Sequence, residues 1–441
     1  MAEKMKDSGI AWIGEIPEEW LVAPVSCMTN SRSGGTPDRN NMNYWDNGTI
    51  PWMSSGEVNK INVYETDEKI TEAATRGSSA KVIKKNAVMV ALNGQGKTKG
   101  MSAVLRIDSA CNQSLCAFSC HEEKLYYEYL FWCFQSMYTY LRQMSGDDVR
   151  DGLAASYVRK RKIPVPPLSE QHAIAAYLDR KCGQIDDIIA DLQRQIECLQ
   201  SYKKSLISEA VTKGLNPDVP MKDSGIEWIG QIPEHWEMLP FRVCVQSGTS
   251  GLSAVTNDDT EESGKYVLRT SAVSSGVFIV TEVKAVTSYA ENRLVCPVEA
   301  DTVIMSRMNT SAMVGASAYI ERNYEGYFLP DKLWKVKFND RLLAKYAWYL
   351  MNSEPVRRWF GCVATGSSAS MQNIEMSDFL HTYVPIPGVT EQKQLATYLD
   401  RKCAEIDTIL DDKRRQVENM KNHRKSVIYE YVTGKKRVKE V

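Results

Sequence analysis

The stretch "EQHAIAAYLDRKCGQID", Glu170 to Asp186, returns 221 positions later as "EQKQLATYLDRKCAEID", Glu391 to Asp407. A second stretch, "MKDSGIAWIGEIPEEW" at Met5 to Trp20, returns 216 positions later as "MKDSGIEWIGQIPEHW", with three of its sixteen residues changed. Matches of this length in the same order indicate an internal duplication. Each half of the chain therefore carries an entry segment, a middle region and a long terminal segment.

The two long terminal segments are predicted to be helices. In the first, Ser169 is a plausible N-cap, Pro166 and Pro167 lie just outside, and Gly214 and Pro217 mark the far end. Apolar residues recur at alternating steps of four and three, which is typical of a coiled-coil seam rather than a broad core stripe. The expected seam comprises Leu178, Ile185, Ile189, Leu192, Ile196, Leu199, Leu206, Leu399, Ile406, Leu410, Val417, Met420 and Val427. Alternatively, each helix packs only on its own domain.

The middle regions contain short alternating apolar stretches such as "AVMVAL" and "TVIMSRM", broken by Gly, Asn and Ser. This pattern favours mixed α/β or mainly β domains with functional loops. We expect an α+β fold: two α/β domains joined by two long helices in an antiparallel coiled coil, in a pseudo-twofold cyclic arrangement. The expected boundaries are a first domain at 1–168 with entry segment 5–20, a helix at 169–215, a second domain at 216–389 with entry segment 221–236, and a helix with a basic tail at 390–441.

Composition places the chain among ordinary globular proteins, with 441 residues, 43% hydrophobic and 25% charged. It shows no secretory h-region and no apolar run of the ~18 residues that span a membrane, so a cytoplasmic protein with reduced cysteines is expected. The formal net charge is −1, but basic residues are concentrated at 150–162 and 413–440. These runs are either solvated faces or contacts with a polyanion.

Catalytic motifs are missing from the sequence. It has no Asn/Asp-Pro-Pro-Tyr/Phe tetrad of methyltransferases, no His-Glu-x-x-His and no Gly-x-Ser-x-Gly. Cys111, Cys116, Cys120 and His121 lack the close Cys-x2-Cys pair of most structural zinc sites. These patterns therefore supply no candidate catalytic residue, and we expect no metal site in this chain.

The stretch "ALNGQGKTKG", Ala91 to Gly100, fits a loose phosphate-loop pattern through Thr98. A phosphate loop joins a strand to a helix, whereas "MSAVLRID" after Gly100 predicts a strand. Aligning Gly100 with Gly315 without gaps sets "GQGKTKG" against "NTSAMVG". The comparison favours a shared hairpin with exchanged tip residues. The alternative is a nucleotide-binding enzyme that uses residues 91–98.

Four features together resemble one known family. They are "SGGTP" and "IPW" between Ser33 and Trp52, the "IPVPPLSEQ" stretch before the first helix, the repeated "EQ…YLDRK…ID" helix and the repeated "SGIEWIGQIPEHW" segment. The chain resembles the specificity (S) subunit of type I restriction-modification systems. It departs from the pattern where the second domain shows "SGTSGLSAV" instead of a "GGTP…YW" start.

The resemblance implies two target recognition domains, each reading one half of a split DNA sequence, and no catalytic residue. The helices would set the unread spacer and bind two modification subunits that carry S-adenosylmethionine and methylate adenine. Restriction subunits would add ATP- and Mg²⁺-dependent translocation and cleavage in a system of DNA methylation and phage defence, and this chain itself would bind no cofactor. A coiled-coil adaptor that binds protein alone is the remaining alternative.

Side chains on exposed loops are the candidates for DNA contact, since base edges are read by polar groups and phosphates by Arg and Lys. The candidates are Arg39, Asn93, Gln95, Lys97, Lys99, Arg269, Arg307, Asn309 and Gln372. The repeated tryptophans are expected to anchor each domain to the helix ends; they are Trp12, Trp20, Trp228 and Trp236.

Overall fold

The computed structural model describes residues 4–94, 96–143, 152–252, 256–257, 264–287, 291, 294–368 and 371–438. Its α-helices are α1 (Val25–Met28), α2 (Glu72–Gly77), α3 (Tyr127–Gln143), α4 (Ala155–Arg159), α5 (Leu168–Lys213), α6 (Phe241–Cys244), α7 (Ser271–Ser274), α8 (Ala344–Asn352), α9 (Glu354–Val363), α10 (Met376–His381) and α11 (Val389–Val432). None of the helices in these ranges is long and apolar enough to cross a membrane. Contacts divide the chain into two compact units, the first formed by 1–193 and 415–441 and the second by 194–414.

The first unit contains a five-stranded sheet of order β4-β11-β8-β9-β6 and a three-stranded sheet of order β10-β5-β7. The pairs β1-β2 and β12-β3 complete it. Its strands are β1 (Met5–Asp7), β2 (Glu15–Pro17), β3 (Leu21–Pro24), β4 (Thr29–Ser33), β5 (Ile50–Met53), β6 (Asn62–Val63), β7 (Glu68–Ile70), β8 (Val88–Ala91), β9 (Ser102–Leu105), β10 (Ala110–Cys111), β11 (Leu115–Cys120) and β12 (Lys162–Val165).

The second unit repeats much of this plan. A four-stranded sheet of order β16-β25-β21-β23 corresponds to β4-β11-β8-β9, and the pair β15-β28 corresponds to β3-β12. It adds a sheet of order β22-β27-β26, and another of order β17-β19-β18-β24-β20. The strands are β13 (Met221–Asp223), β14 (Gln231–Pro233), β15 (Glu237–Pro240), β16 (Val245–Ser250), β17 (Thr256–Asn257), β18 (Tyr266–Leu268), β19 (Val283–Val286), β20 (Pro297–Val298), β21 (Thr302–Ser306), β22 (Met308–Asn309), β23 (Ser317–Ile320), β24 (Tyr324–Phe328), β25 (Leu333–Phe338), β26 (Thr365–Ser368), β27 (Met371–Asn373) and β28 (Tyr383–Ile386).

The long helices pack against each other within each unit, and they run antiparallel there. In the first unit the rings of Tyr177 and Tyr431 lie 4.3 Å apart, and further along α5 the side chain of Asp186 meets Arg424. In the second unit Lys203 meets Asp407, and a Cβ added at Gly214 would lie 3.5 Å from a carboxylate oxygen of Glu391. Residues further along α5 therefore contact residues nearer the start of α11, as they do in antiparallel helices. The expected fold class is thus confirmed, and all thirteen expected seam residues are buried or half-buried.

The seam is interrupted at the same place in both units by an ion pair. Lys203 Nζ lies 2.6 Å from Asp407 Oδ1, and Arg424 Nε lies 2.9 Å from Asp186 Oδ1. Residues 203 and 424, like 186 and 407, are related by the 221-residue offset of the repeat. In each unit the basic residue that stands within the apolar seam, Lys203 or Arg424, is therefore paired with an acidic residue of the facing helix segment.

Helix α5 begins at Leu168, directly after Pro166 and Pro167. Ser169, the expected N-cap, therefore lies inside the first turn, and that detail of the prediction is wrong. Proline is tolerated at the start of a helix, because an N–H group at that position would have no intrahelical partner and its absence costs nothing. The buried face of α3 packs with Ile174, Ala175 and Leu178 in the core of the first unit.

Candidate nucleic-acid interface

Entry segment, domain and helix end meet at one junction that is built almost identically in both units. The indole N–H of Trp20 donates to Glu170 Oε2 at 3.0 Å, and that of Trp236 donates to Glu391 Oε2 at 3.1 Å. Both indoles are fully buried. Burial raises the pKa of the Glu170 carboxyl, although Arg437 and Trp20 act in the opposite direction. The anchoring prediction is confirmed for these two tryptophans.

A buried tyrosine in each domain bonds to the C-terminal end of a long helix. Tyr129 Oη donates to the carbonyl of Val432 at 3.1 Å, and Tyr346 Oη donates to the carbonyl of Val211 at 3.3 Å. Both rings are fully buried, which makes the satisfied hydroxyls important to the junction. The last turns of α5 and α11 are thus each tied to the domain of their own unit.

Two glutamines of the repeated "EQ" pair complete the junction. Gln171 accepts from the backbone N–H of Tyr126 and donates to the carbonyls of Lys124 and Pro166. Gln392 makes the same three bonds to residues Leu343, Arg341 and Pro387. Sequence reasoning did not assign these residues a role, although the repeat already singled them out. Their amides use both donor and acceptor groups, which explains why neither a carboxylate nor an apolar residue occupies the position.

In the first unit the segment after α11 also holds the entry segment. Lys435 Nζ donates to the carbonyls of Ile13 and Glu15 at 3.0 and 3.1 Å. Arg437 Nη1 lies 2.6 Å from Glu19 Oε1 and also pairs with Glu170. Part of the basic tail is therefore a structural contact within the protein rather than a free polyanion-binding surface.

The domain of the first unit presents the hairpin between β8 and β9. The carbonyls of Gly96 and Lys97 accept hydrogen bonds from Arg142 Nη1 and Tyr138 Oη, each at 2.7 Å. Gly96 and Gly100 adopt φ of +63° and +82°, a region that favours glycine. Because β9 follows the hairpin tip and pairs antiparallel with β8, the nucleotide-loop interpretation of residues 91–98 is wrong and the hairpin prediction is confirmed. Asn93 and Lys97 are exposed on this tip.

The second unit presents the matching hairpin between β21 and β23. The N–H of Gly315 donates to Ser306 at 2.7 Å, as that of Gly100 donates to Ala91 at 2.8 Å. Arg357 Nη1 donates to the carbonyl of Val314 at 2.7 Å, in the role of Arg142. Burial lowers the pKa of the Arg357 guanidinium to about 10. The two arginines were not among the expected functional residues; their shared offset of 215 positions from each other, equal to that of the glycines, was the available signal.

The structure brings together two of the expected readers in the second unit. Asn309 in β22 lies directly opposite Gln372 in β27 in an antiparallel pair, so their side chains share one face of the sheet. Asn309 Nδ2 lies 3.3 Å from Ser306 Oγ, and Gln372 Nε2 donates to the carbonyl of Ser368 at 2.8 Å. Both side chains are half-buried and thus fixed, yet still partly open to solvent.

The expected arginine contacts are each held by neighbouring groups. The Arg39 guanidinium lies 3.8 Å from the centre of the Trp45 ring and pairs with Glu68, while about half of its side chain is exposed. Arg269 is exposed, and its Nε donates to the carbonyl of Val283 at 3.1 Å. Arg307 is half-buried, and its Nε donates to the carbonyl of Asp331 at 2.9 Å.

Lys99 and Gln95 stand apart from the other candidates. Lys99 is 7% exposed, so its side chain does not lie on the surface and the expected DNA contact there is not supported. Gln95 lies outside the described residues.

These features define a protein with two similarly framed domains that present different loops. Residues 17–198 match the family described as "Type I restriction modification DNA specificity domain". The chain is 22% identical to the type I restriction enzyme EcoKI specificity subunit of Escherichia coli, over 96% of this chain and 90% of that protein. It is 26% identical to the MjaVIII specificity subunit of Methanocaldococcus jannaschii, over 71% of each.

Solved structures show the same fold. The HsdS subunit from Thermoanaerobacter tengcongensis superposes with a TM-score of 0.51 at 14% identity, covering 95% of this chain and 98% of that one. A chain from a study of complex assembly and conformational transition of the type I R-M system gives a TM-score of 0.72 at 14% identity, with the same coverage. Residues 17–198 therefore match a type I restriction-modification DNA specificity domain, and the chain over most of its length is similar to specificity subunits of these systems.

Proposed function

We propose that this chain selects a two-part DNA sequence for a type I methyltransferase and restriction complex. Residues 1–168 would be the target recognition domain for one half of the target and residues 216–389 the domain for the other. The chain itself would be non-catalytic, acting in the prokaryotic cytoplasm. S-adenosylmethionine, ATP and Mg²⁺ would be bound by the modification and restriction subunits.

One observation carries this proposal: the same hairpin, held by an equivalent arginine, presents different side chains in the two units. Lys97 and Asn93 occupy one tip, whereas Asn309 stands at the base of the other. DNA sequence is read by side chains at base edges, while the scaffold sets their position. Two fixed scaffolds with exchanged loops are what a reader of two different half-sites requires.

The facing amides of Asn309 and Gln372 are suited to base reading in the second half-site. Asn and Gln can bond bidentately to the N6 and N7 edge of adenine in the major groove. Lys97 and Asn93 would contact the first half-site. Arg39, Arg269 and Arg307 would position the domains through phosphates.

The long helices would set the length of the unread spacer and dock two modification subunits. α5 has 46 residues and α11 has 44. At 1.5 Å per residue each could span about 65 to 70 Å. The paired seam makes this span stiff, because bending it would separate buried apolar side chains.

The test is to co-express the chain with its modification subunits and to map methylated adenines across the host genome. We expect a split motif that depends on this chain. Asn309→Ala or Gln372→Ala should relax one half of that motif, and Lys97→Ala should affect only the other half, so each set is the control for the other. Loss of each amide contact should cost about 1–3 kcal/mol of base discrimination. A motif that is independent of the chain, or both halves changing together, would contradict the proposal.

The salt dependence of DNA binding distinguishes a DNA reader from the alternative, a coiled-coil adaptor that binds protein alone. For a DNA reader, the logarithm of the binding constant of the assembled complex falls linearly with the logarithm of salt concentration, by roughly 0.9 per phosphate contact. A purely protein-binding adaptor would leave DNA affinity unchanged when this chain is exchanged.

A further inference from the structure

A cavity of about 240 Å³ lies in the first unit, between the domain and the long helices. Phe131 and Trp132 of α3 and Asp179 and Gly183 of α5 are among the residues that line it. A water molecule takes up ~30 Å³ of liquid volume, so the cavity has the volume of roughly eight waters and more than enough room for the polar head of a side chain.

Most of the charged groups around the cavity are already paired. Arg106 Nη1 lies 2.9 Å from Glu128 Oε1, and its Nε donates to Asn62 Oδ1 at 2.8 Å. Arg424 is paired with Asp186 across the seam. Asp179 differs, because its Oδ1 accepts the indole N–H of Trp132 at 3.0 Å. Its second oxygen has no partner within the described part of the chain.

The second unit shows what complements this aspartate. Asp400, the counterpart of Asp179 in the repeated "YLDRK", accepts from Tyr349 Oη at 2.8 Å. Its other oxygen, Oδ2, lies 2.6 Å from Lys345 Nζ. At the position equivalent to Lys345 the first unit has Glu128. The second unit therefore supplies an ammonium group to its aspartate, and the first unit places a second carboxylate nearby instead.

The local electrostatics agree with this difference. Burial raises the pKa of the Asp179 carboxyl and the charge of Glu128 raises it further, while the hydrogen bond from Trp132 and the charge of Arg106 lower it. A carboxylate in such a place gains from an opposite charge at its free oxygen.

Gly183 lies beside open space in the cavity wall. A Cβ at Gly183 would meet no atom within 4 Å, and the second copy of the helix has Ala404 there. Glycine inside a helix is less stable than alanine by roughly 0.5–1 kcal/mol, so helix stability does not account for its presence.

We propose that this cavity binds a cationic group, an ammonium or guanidinium, against Oδ2 of Asp179 and beside the ring of Trp132. The Arg424 guanidinium already lies 5.8 Å from the centre of the Trp132 ring, so the ion pair with Asp179 supplies the attraction for the bound group. The group comes either from a free amine or from a basic side chain of a modification subunit. The second source rests on the proposed function.

The experiment uses the full chain labelled with 5-fluorotryptophan, with the Trp132 signal assigned through Trp132→Phe. Arginine amide is titrated as the probe, and citrulline amide, which has the same shape without the charge, is the control. We expect a saturable ¹⁹F shift of Trp132 with arginine amide only. Asp179→Asn should weaken it about tenfold or more, a loss of ~1.4 kcal/mol. Gly183→Leu should abolish the shift by filling the space, and Gly183→Ala should preserve it.

A Trp132 signal that does not saturate, or that responds equally in Asp179→Asn, would overturn the proposal. The source is decided in the complex assembled with modification subunits. A Trp132 signal already at its saturated position and no longer responsive identifies a partner side chain, whereas a signal that still titrates identifies a free amine. The first titration needs no partner, so its failure is distinct from a failure of the proposed function.

Discussion

Gln392 offers a sharp test of how the domain of the second unit is held to its helix. It is fully buried, accepts from Leu343 N–H at 2.9 Å and donates to the carbonyls of Arg341 and Pro387 at 2.8 and 2.9 Å. Gln392→Met keeps the length of the side chain and removes all three hydrogen bonds. The expected result is loosening of the second unit with the first unit unaffected.

The magnitude follows from the groups left without a partner. A hydrogen bond contributes about 1 kcal/mol net, and a buried group left unsatisfied costs about 1–3 kcal/mol. The bond to Pro387 is buried and the other two are partly accessible to water, which offsets some of their loss. We therefore expect a destabilisation of about 3 kcal/mol, near the low end of that range for three groups.

Hydrogen exchange measured by mass spectrometry resolves the effect by unit. A change of about 3 kcal/mol accelerates exchange limited by local opening on the order of a hundredfold. This acceleration should appear in peptides covering 341–347 and 388–395 and not in those covering 124–130 and 167–174. Gln171→Met is the matched variant and should give the reverse pattern. An acceleration below threefold at 341–347, or equal changes in both units, would refute the reasoning.

Three further predictions concern single side chains. In thermal unfolding, Lys203→Leu should leave the stability of the second unit unchanged or raise it by up to ~1 kcal/mol, because a partly exposed ion pair contributes little and leucine extends the apolar seam. A loss of stability above ~1 kcal/mol would contradict this expectation. Gly183→Ala should raise the stability of the first unit by about 0.5–1 kcal/mol in urea unfolding, and a loss of stability would contradict the open space beside this residue. Burial raises the pKa of the Cys182 thiol to about 11, so at pH 8 iodoacetamide should alkylate it after Cys27, Cys198 and Cys362, as mass spectrometry can show; equal rates would contradict its burial.

The sequence was most informative about the frame, meaning the two long helices α5 and α11 and the repeated segments that hold each domain to them. The seam period predicted helices that pack on each other, and the segments of α5 and α11 do so in both units. The gap-free alignment of Gly100 with Gly315 predicted equivalent hairpins, which the structure has. These features succeed because a repeat with fixed offsets reports on long-range partners that a single copy cannot reveal.

Side-chain direction was less predictable. The sequence pattern gives no reason to distinguish Lys97 from Lys99, since both lie in the same hairpin stretch. Lys97 is nevertheless exposed, whereas only 7% of Lys99 is exposed, because the backbone turns between them. The small sheet that sets Gln372 opposite Asn309 joins segments more than sixty residues apart in a region where the two halves have diverged. No short-range pattern specifies such a pairing, since its register depends on tertiary packing.

The contrast between frame and tip has a thermodynamic basis. At the junction, each of Trp20, Gln171 and Tyr129 is buried and bonded, so replacement leaves a partner group unsatisfied at a cost of about 1–3 kcal/mol. At the hairpin, the backbone carbonyls of Gly96 and Lys97 are held by Arg142 and Tyr138, while the Lys97 side chain points to solvent. Surface substitutions of this kind usually change stability by within about 0.5 kcal/mol. The fold therefore allows the reading residues to change while the assembly that positions them stays intact, and this is the property that a specificity subunit needs.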